Sequence, residues 1–282
     1  LGGYFYALGQ RGQPLLRDCH VTSFAGGFLT SGSMDTGRKI SLPEWWHAES
    51  SAIHWIAFAA LPDGCSVLRL ERIRLLPRRV YMEGYGGVRW EIPNDIFNHG
   101  RRTYYTQNET RPLEAHDGDC AVLNLNSPWV NVEEQLGAVG LWGASSWFLL
   151  RRGRRIGGYT FGNILTDTLC YGLTVKRCDF FGPHDLVDNA TLLLAGADSA
   201  ATARTWEETN SLPRNDVPVQ DASEDVRTAV AAGRDGRSYC LVANFSDRST
   251  VLPSLSGGWT SVTKKNSSHT LEAGEARLLM QD

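Results

Sequence analysis

Residues 91–106, EIPNDIFNHGRRTYYT, gather two asparagines, an aspartate, a histidine, two arginines and two tyrosines into one turn-rich stretch. Such a mixture suits a sugar, whose C–H faces stack on aromatic rings while its hydroxyls need oriented partners. Asn94, Asp95 and Asn98 would exchange hydrogen bonds with vicinal hydroxyls. Arg102 would present its planar donors to a carboxylate or a hydroxyl pair, and Tyr104 would offer a flat face. Eliminating a uronate needs a base and a group that neutralises the carboxylate, and Tyr105, His99 and Arg102 supply those types. The bland alternative is a capped crossover between strands. There Asn94, Asp95 and Asn98 satisfy backbone donors, and Arg101 or Arg102 pairs with Asp95.

A second cluster is SLPEWWHAESSAIHW, residues 41–55. Trp45 and Trp46 are candidates for a stacking shelf, with His47 as a polar contact beside them. Trp55 and His54 lie in a strand-like run and are expected in the core, the histidine hydrogen-bonded. Glycoside hydrolysis normally uses two carboxyl groups ~5–10 Å apart. Glu133 and Glu134 are neighbours on a predicted strand and so point to opposite faces, which excludes them as one catalytic pair. AHDGDC, residues 115–120, places Asp117 and Asp119 on a glycine turn, where oxygen ligands for a structural calcium would sit. The rest of an EF-hand loop is missing, so no cofactor is expected. No P-loop, GxSxG elbow or Rossmann fingerprint occurs.

Composition narrows the classes. The 282 residues are 42% hydrophobic and 21% charged, which fits a folded globular chain with ample core. A net charge of -3 argues against a nucleic-acid partner, and no apolar run approaches the ~20 residues of a membrane span. Six cysteines are scattered without a CxxC pair, which excludes the common zinc spacings. Cys170 and Cys178 are close enough in sequence to bridge a hairpin. Sequons at Asn108, Asn189, Asn244 and Asn266 point to a secreted or extracytoplasmic setting. The chain begins at Leu1 without a signal-peptide pattern, which reads as a processed product or a fragment.

The elements that must position these clusters read as strands. Aromatic and β-branched runs alternate with Gly, Pro, Asn and Asp punctuation, which predicts an all-β fold. Expected strands include 19–30, 52–61, 65–75, 102–107, 128–132, 136–143 and 190–195. The LPDG link, residues 61–64, predicts a tight hairpin turn. In CSVLRLERIRL the alternation changes face, which predicts a bulge or strong twist near Glu71. Residues 198–211 carry helix formers after an Asp-Ser cap and predict one short helix. The architecture expected is therefore a large antiparallel sandwich over 1–210, closing with that helix. A linker over 211–225 and a small C-terminal sandwich over 226–282 follow, the latter small enough to lean on the first domain.

The tail holds a strand ending in VANF, Val242 to Phe245, and closes on LEAGEARLL, Leu271 to Leu279. In that order these resemble the small C-terminal β-domain of many bacterial glycoside hydrolases. Stretches such as FAGGFLTSGSM (24–34) and WVNVEEQLGAVGLWG (129–143) are similar in style to the β-sandwich modules of polysaccharide-processing enzymes. The resemblance implies a carbohydrate-active enzyme's β-sandwich portion, supporting or completing a site for an oligo- or polysaccharide. Catalysis would then sit on another segment or partner chain. Alternatives are a chain that is itself a lyase or hydrolase, and a non-enzymatic assembly protein.

Overall fold

A computed structural model of the chain describes residues 4–7, 10–11, 15–35, 39–41, 47–49, 52–77, 79–82, 84–86, 89–93, 102–113, 121–127, 129–134, 137–143, 148–152, 166–170, 178–197, 219–220, 223–255, 257–263 and 268–282. Across these residues the protein is all-β. Its principal layer is a nine-stranded sheet in which neighbours run antiparallel. The order across it is Thr110–Leu113, Arg102–Thr106, Trp129–Glu134, Gly137–Gly143, Asp185–Ala197, Ser66–Leu75, Ala52–Ala60, Gly27–Asp35 and Leu15–Phe24. A four-stranded sheet follows the order Val226–Ala232, Ser238–Asn244, Ala276–Gln281 and Thr260–Ser261. It lies face to face with the large sheet: 226–232 meets 66–75, 238–244 meets 66–75 and 52–60, and 276–281 meets 27–35.

One core joins the two layers. Every second residue of the central strands turns inward, as the two-residue period requires. Trp55, Ala57, Ala59, Leu68, Leu70 and Leu192 meet Ala229, Tyr239, Leu241, Phe245 and Leu278 in a single buried cluster. Alanines opposite large rings let the sheets interdigitate. The C-terminal sheet also has a second apolar face, where Val226, Cys240, Val242, Leu271 and Leu279 pack beneath Leu252 and Trp259. Burial pushes the Cys240 thiol up to about 12, so it behaves as a small apolar filler. The C-terminal unit thus has an apolar cluster of its own and, among the described residues, contributes eight of the eighteen buried residues of the inter-sheet core.

Several expectations change in detail. Residues 19–30 form a hairpin, because Gly26 adopts φ 82° and turns Phe24 back into Gly27. The LPDG turn forms as expected: Gly64 has φ 79°, and the Asp63 carboxylate accepts from the Cys65 and Ser66 amides at 3.0 and 2.8 Å. No register break occurs near Glu71. The 66–75 strand pairs evenly with 52–60, and the irregularity lies on its other neighbour, between Asp185 and Val187. The change of face in the sequence instead marks charges on both sides. Cys170 and Cys178 do not face each other across a hairpin, since their strands belong to different sheets. Within 211–225, Val219–Gln220 pairs with Ser254–Leu255. The helix expected at 198–211 lies outside the described residues. No helix is long and apolar enough to cross a membrane among the described residues.

The charges of the 66–75 strand are held in two networks. On the face away from the C-terminal sheet, Glu71 is fully buried. One of its oxygens lies 2.6 Å from His54 Nε2 and 3.0 Å from Arg69 Nη2, and Arg69 Nη1 donates to the other at 3.0 Å. On the inner face Arg72 donates to Asp185 at 3.2 Å and to the Glu224 carbonyl at 3.1 Å, beyond the edge of the apolar core. Arg227 of the C-terminal sheet grips Asp188 at 2.7 and 2.8 Å. These bonds tie the layers together at one end.

Acid should loosen that end first. Burial pushes the Asp185 carboxyl up, but the Arg74 hydrogen bond and the charges of Arg72, Arg74 and Arg227 outweigh it and hold it below its usual value. A depressed carboxyl contributes stability that is complete above the ordinary aspartate value of about 3.9 and is lost as pH falls through the lower, folded value. Urea midpoints of the wild type and of Asp185→Asn are therefore expected to differ at pH 7 and to converge below pH ~4. A gap that persists unchanged into acid would contradict this.

Candidate functional site

The four-stranded sheet does not cover the whole nine-stranded one. The edge strand 15–24 overhangs, and a cleft of about 400 Å³ opens between it and the turn leading into strand 276–281. His20, Thr22 and Ser31 line one wall, and Thr270, Glu272 and Arg277 the other. Leu29 and Ala276, both buried, line it as well. Local sequence explains the polar wall. Along the edge strand, Asp18, His20 and Thr22 alternate inward where a central strand would carry leucine or alanine, and they sit where the opposing sheet ends.

The far wall is the LEAGEARLL segment. Gly274 takes φ 68°, and a Cβ there would come within 3.3 Å of the Gly32 Cα and 3.4 Å of Asp18. Glycine is therefore required twice over, by backbone conformation and by the close approach of the large sheet. His20 Nε2 donates to the Ala273 carbonyl at 2.9 Å across this contact. The Glu275 carboxylate accepts from the Glu272 amide at 2.7 Å and from Arg277 Nε at 3.4 Å. The remaining arms of Arg277 donate to the carbonyls of Ser268 and Thr270, the latter at 2.6 Å. Arg277 is 4% exposed, so it braces the wall of the cleft. Ser31 is also 4% exposed, yet its hydroxyl has no hydrogen-bond partner.

The clusters expected from sequence fall differently. Trp45, Trp46, Asn94, Asp95, Asn98 and His99 lie outside the described residues, as do Asp117 and Asp119. His47 and Arg102 lie on strands whose backbone alone is described: Ser41 pairs with His47, and Arg102 with Leu113 and Glu134. Tyr104 is 1% exposed, so the open face expected of it is absent, because this residue points into packed protein. Its neighbour Tyr105 points to the other side, where its hydroxyl donates to Glu133 at 3.0 Å. Trp55 and His54 are buried as expected. Asn244 is fully buried and donates to the carbonyls of Arg248 and Glu272, a position that leaves no room for a glycan on its sequon. Among the described residues, no group of three or more His, Cys, Asp or Glu side chains is placed to hold a metal ion.

Sequence reasoning missed His20, Thr22, Ser31, Thr270, Glu272 and Arg277. The available signal was the inward alternation of polar residues on a strand near the chain's start. Its partner wall lies some 250 residues later, as the His20–Ala273 contact shows with a separation of 253.

No known protein-family profile matches the chain, and no curated protein is similar in sequence. Solved structures to which the chain is similar include the galactosidase domain of an alpha-galactosidase–sucrose kinase, at 9% identity and a TM-score of 0.45, with 71% of this chain and 30% of that one covered. An alpha-galactosidase from Lactobacillus brevis matches at 8% identity and a TM-score of 0.44, covering 74% of this chain and 30% of its own. A GH36 alpha-galactosidase from Geobacillus stearothermophilus matches at 9% identity and a TM-score of 0.42, covering 73% and 29%. The chain spans less than a third of the length of each of these structures.

Proposed function

We propose that this chain is the β-sandwich portion of a carbohydrate-active enzyme and that it binds a glycan without cleaving it, at the open edge of the sandwich. The observation that carries the reading is the cleft itself. It brings hydroxyls of Thr22, Ser31 and Thr270, an imidazole and a carboxylate together over an apolar floor, the mixture that a sugar's hydroxyls and C–H faces require. The tail that resembles a glycoside hydrolase C-terminal domain supplies one wall, so the sequence likeness and the cleft converge on the same residues.

Binding rather than hydrolysis follows from how the carboxylates are used. Glycosidic cleavage calls for two carboxyl groups facing one bond. In the cleft Glu275 already accepts from the Glu272 amide and from Arg277, which leaves Glu272 to meet a ligand.

The test is a binding isotherm for the isolated chain with neutral oligosaccharides, paired with product analysis after prolonged incubation. Saturable binding with intact oligosaccharide is expected. Robust release of shorter products would overturn the non-catalytic part. Turnover abolished by Tyr105→Phe would then favour the alternative reading, in which the Tyr105–Glu133 pair does chemistry.

A further inference from the structure

We infer that the Ser31 hydroxyl is a ligand-contacting group of the cleft, and that the cleft selects uncharged or amino-bearing sugars against uronates. This rests on the glycan reading above and names the sugar class that the same site takes.

The Ser31 hydroxyl makes no hydrogen bond within the fold. Ser31 sits directly across from His20 in the hairpin register, with both residues on the wall of the cleft. Its two-residue neighbours on the same face are Leu29, which belongs to the core, and Ser33, whose hydroxyl donates to Asp18 at 2.8 Å. Ser33 therefore has its partner, while the Ser31 hydroxyl is buried and has none. A buried hydroxyl without a partner weakens a fold relative to a methyl group of similar shape. Alanine would serve the core better at this position. The oxygen makes sense when a group entering the cleft completes its hydrogen bonds.

Selectivity comes from the arrangement of charge along the cleft. A uronate is held best by an arginine that offers two parallel N–H groups to its carboxylate. Arg277, the one guanidinium lining the cleft among the described residues, spends its donors on the carbonyls of Ser268 and Thr270 and on Glu275. Glu272 is exposed and has no ion-pair partner among the described residues. Among the described residues, two carboxylates against one guanidinium leave the lining negative by one charge. A sugar carboxylate would meet repulsion there, and a neutral or amino sugar would not.

The experiment uses the whole chain and titrates it with tetrasaccharides of neutral hexoses, of hexuronic acid and of glucosamine. The neutral or glucosamine series should bind at least tenfold tighter than the uronate. Ser31→Ala should weaken the preferred ligand about tenfold, the size of one neutral hydrogen bond, with a melting temperature equal to or above that of the wild type. Glu272→Gln should narrow the discrimination against the uronate. Equal or tighter uronate binding would overturn the selectivity. Ser31→Ala with unchanged affinity would overturn the contact, and so would a markedly lower melting temperature, which would show that the hydroxyl serves the fold. Absence of binding by every series would instead remove the glycan reading, and this inference with it.

Discussion

Replacing Glu71 with alanine is expected to cost ~3–5 kcal/mol of folding free energy, the range for removing one partner of a buried ion pair. Glu71 is fully buried, and His54 and Arg69 are each 2% exposed. Its two oxygens take contacts of 2.6 to 3.0 Å from both neighbours. Without the carboxylate, the buried Arg69 guanidinium would lose the Glu71 charge it bonds at 3.0 Å. Urea unfolding followed by tryptophan fluorescence measures the loss. A triple replacement of His54, Arg69 and Glu71 by apolar residues of similar volume should recover most of it, because no charge then remains to be solvated. A single Glu71→Ala change worth less than ~1 kcal/mol would show that the pairing is not what holds this face.

The second large effect is between the last two strands of the nine-stranded sheet, 27–35 and 15–24. In Gly32→Ala the new methyl carbon would sit 2.1 Å from the Asp18 carbonyl oxygen and 2.9 Å from its carbon. Both are backbone atoms and cannot swing aside, and the register shift between Leu16 and Asp18 is what brings that carbonyl over Gly32. Relief requires the edge strand to move, at an expected ~3 kcal/mol. Gly274→Ala should cost less, about 1–2 kcal/mol, since its φ of 68° strains any L-residue while its contacts of 3.3–3.4 Å yield more easily. Because both changes disturb the hairpin that meets the C-terminal turn, glycan affinity should fall with stability. Thermal melts and binding isotherms on the two variants check the order of the effects.

Periodicity made the layers legible and left their meeting unread. Ala57 and Ala59, or Leu68 and Leu70, announce an inward face by alternation alone, and LPDG announces its hairpin through residues that accept the required backbone angles. Alternation also says that Tyr104 and Tyr105 face opposite ways, but it does not say which one is enclosed. The structure encloses Tyr104. Arg69, Glu71 and Arg72 looked like a break in the pattern because a polar residue normally marks solvent. Here they are paired charges inside the protein. The cleft was least legible of all. His20 and Arg277 become neighbours only through the packing of two sheets, and no local rule of spacing spans that distance in the chain. LEAGEARLL stood out in the sequence only as part of a resemblance, and the closeness of its glycine to Gly32 had no signal there.

Hydrogen–deuterium exchange of the whole chain, with and without a saturating neutral oligosaccharide, tests the central claim most directly. Ligand should slow exchange in residues 15–24 and 268–277 together, because the two walls of the cleft close on one molecule. Protection confined to other parts of the sandwich, with both walls unchanged at saturation, would contradict the account.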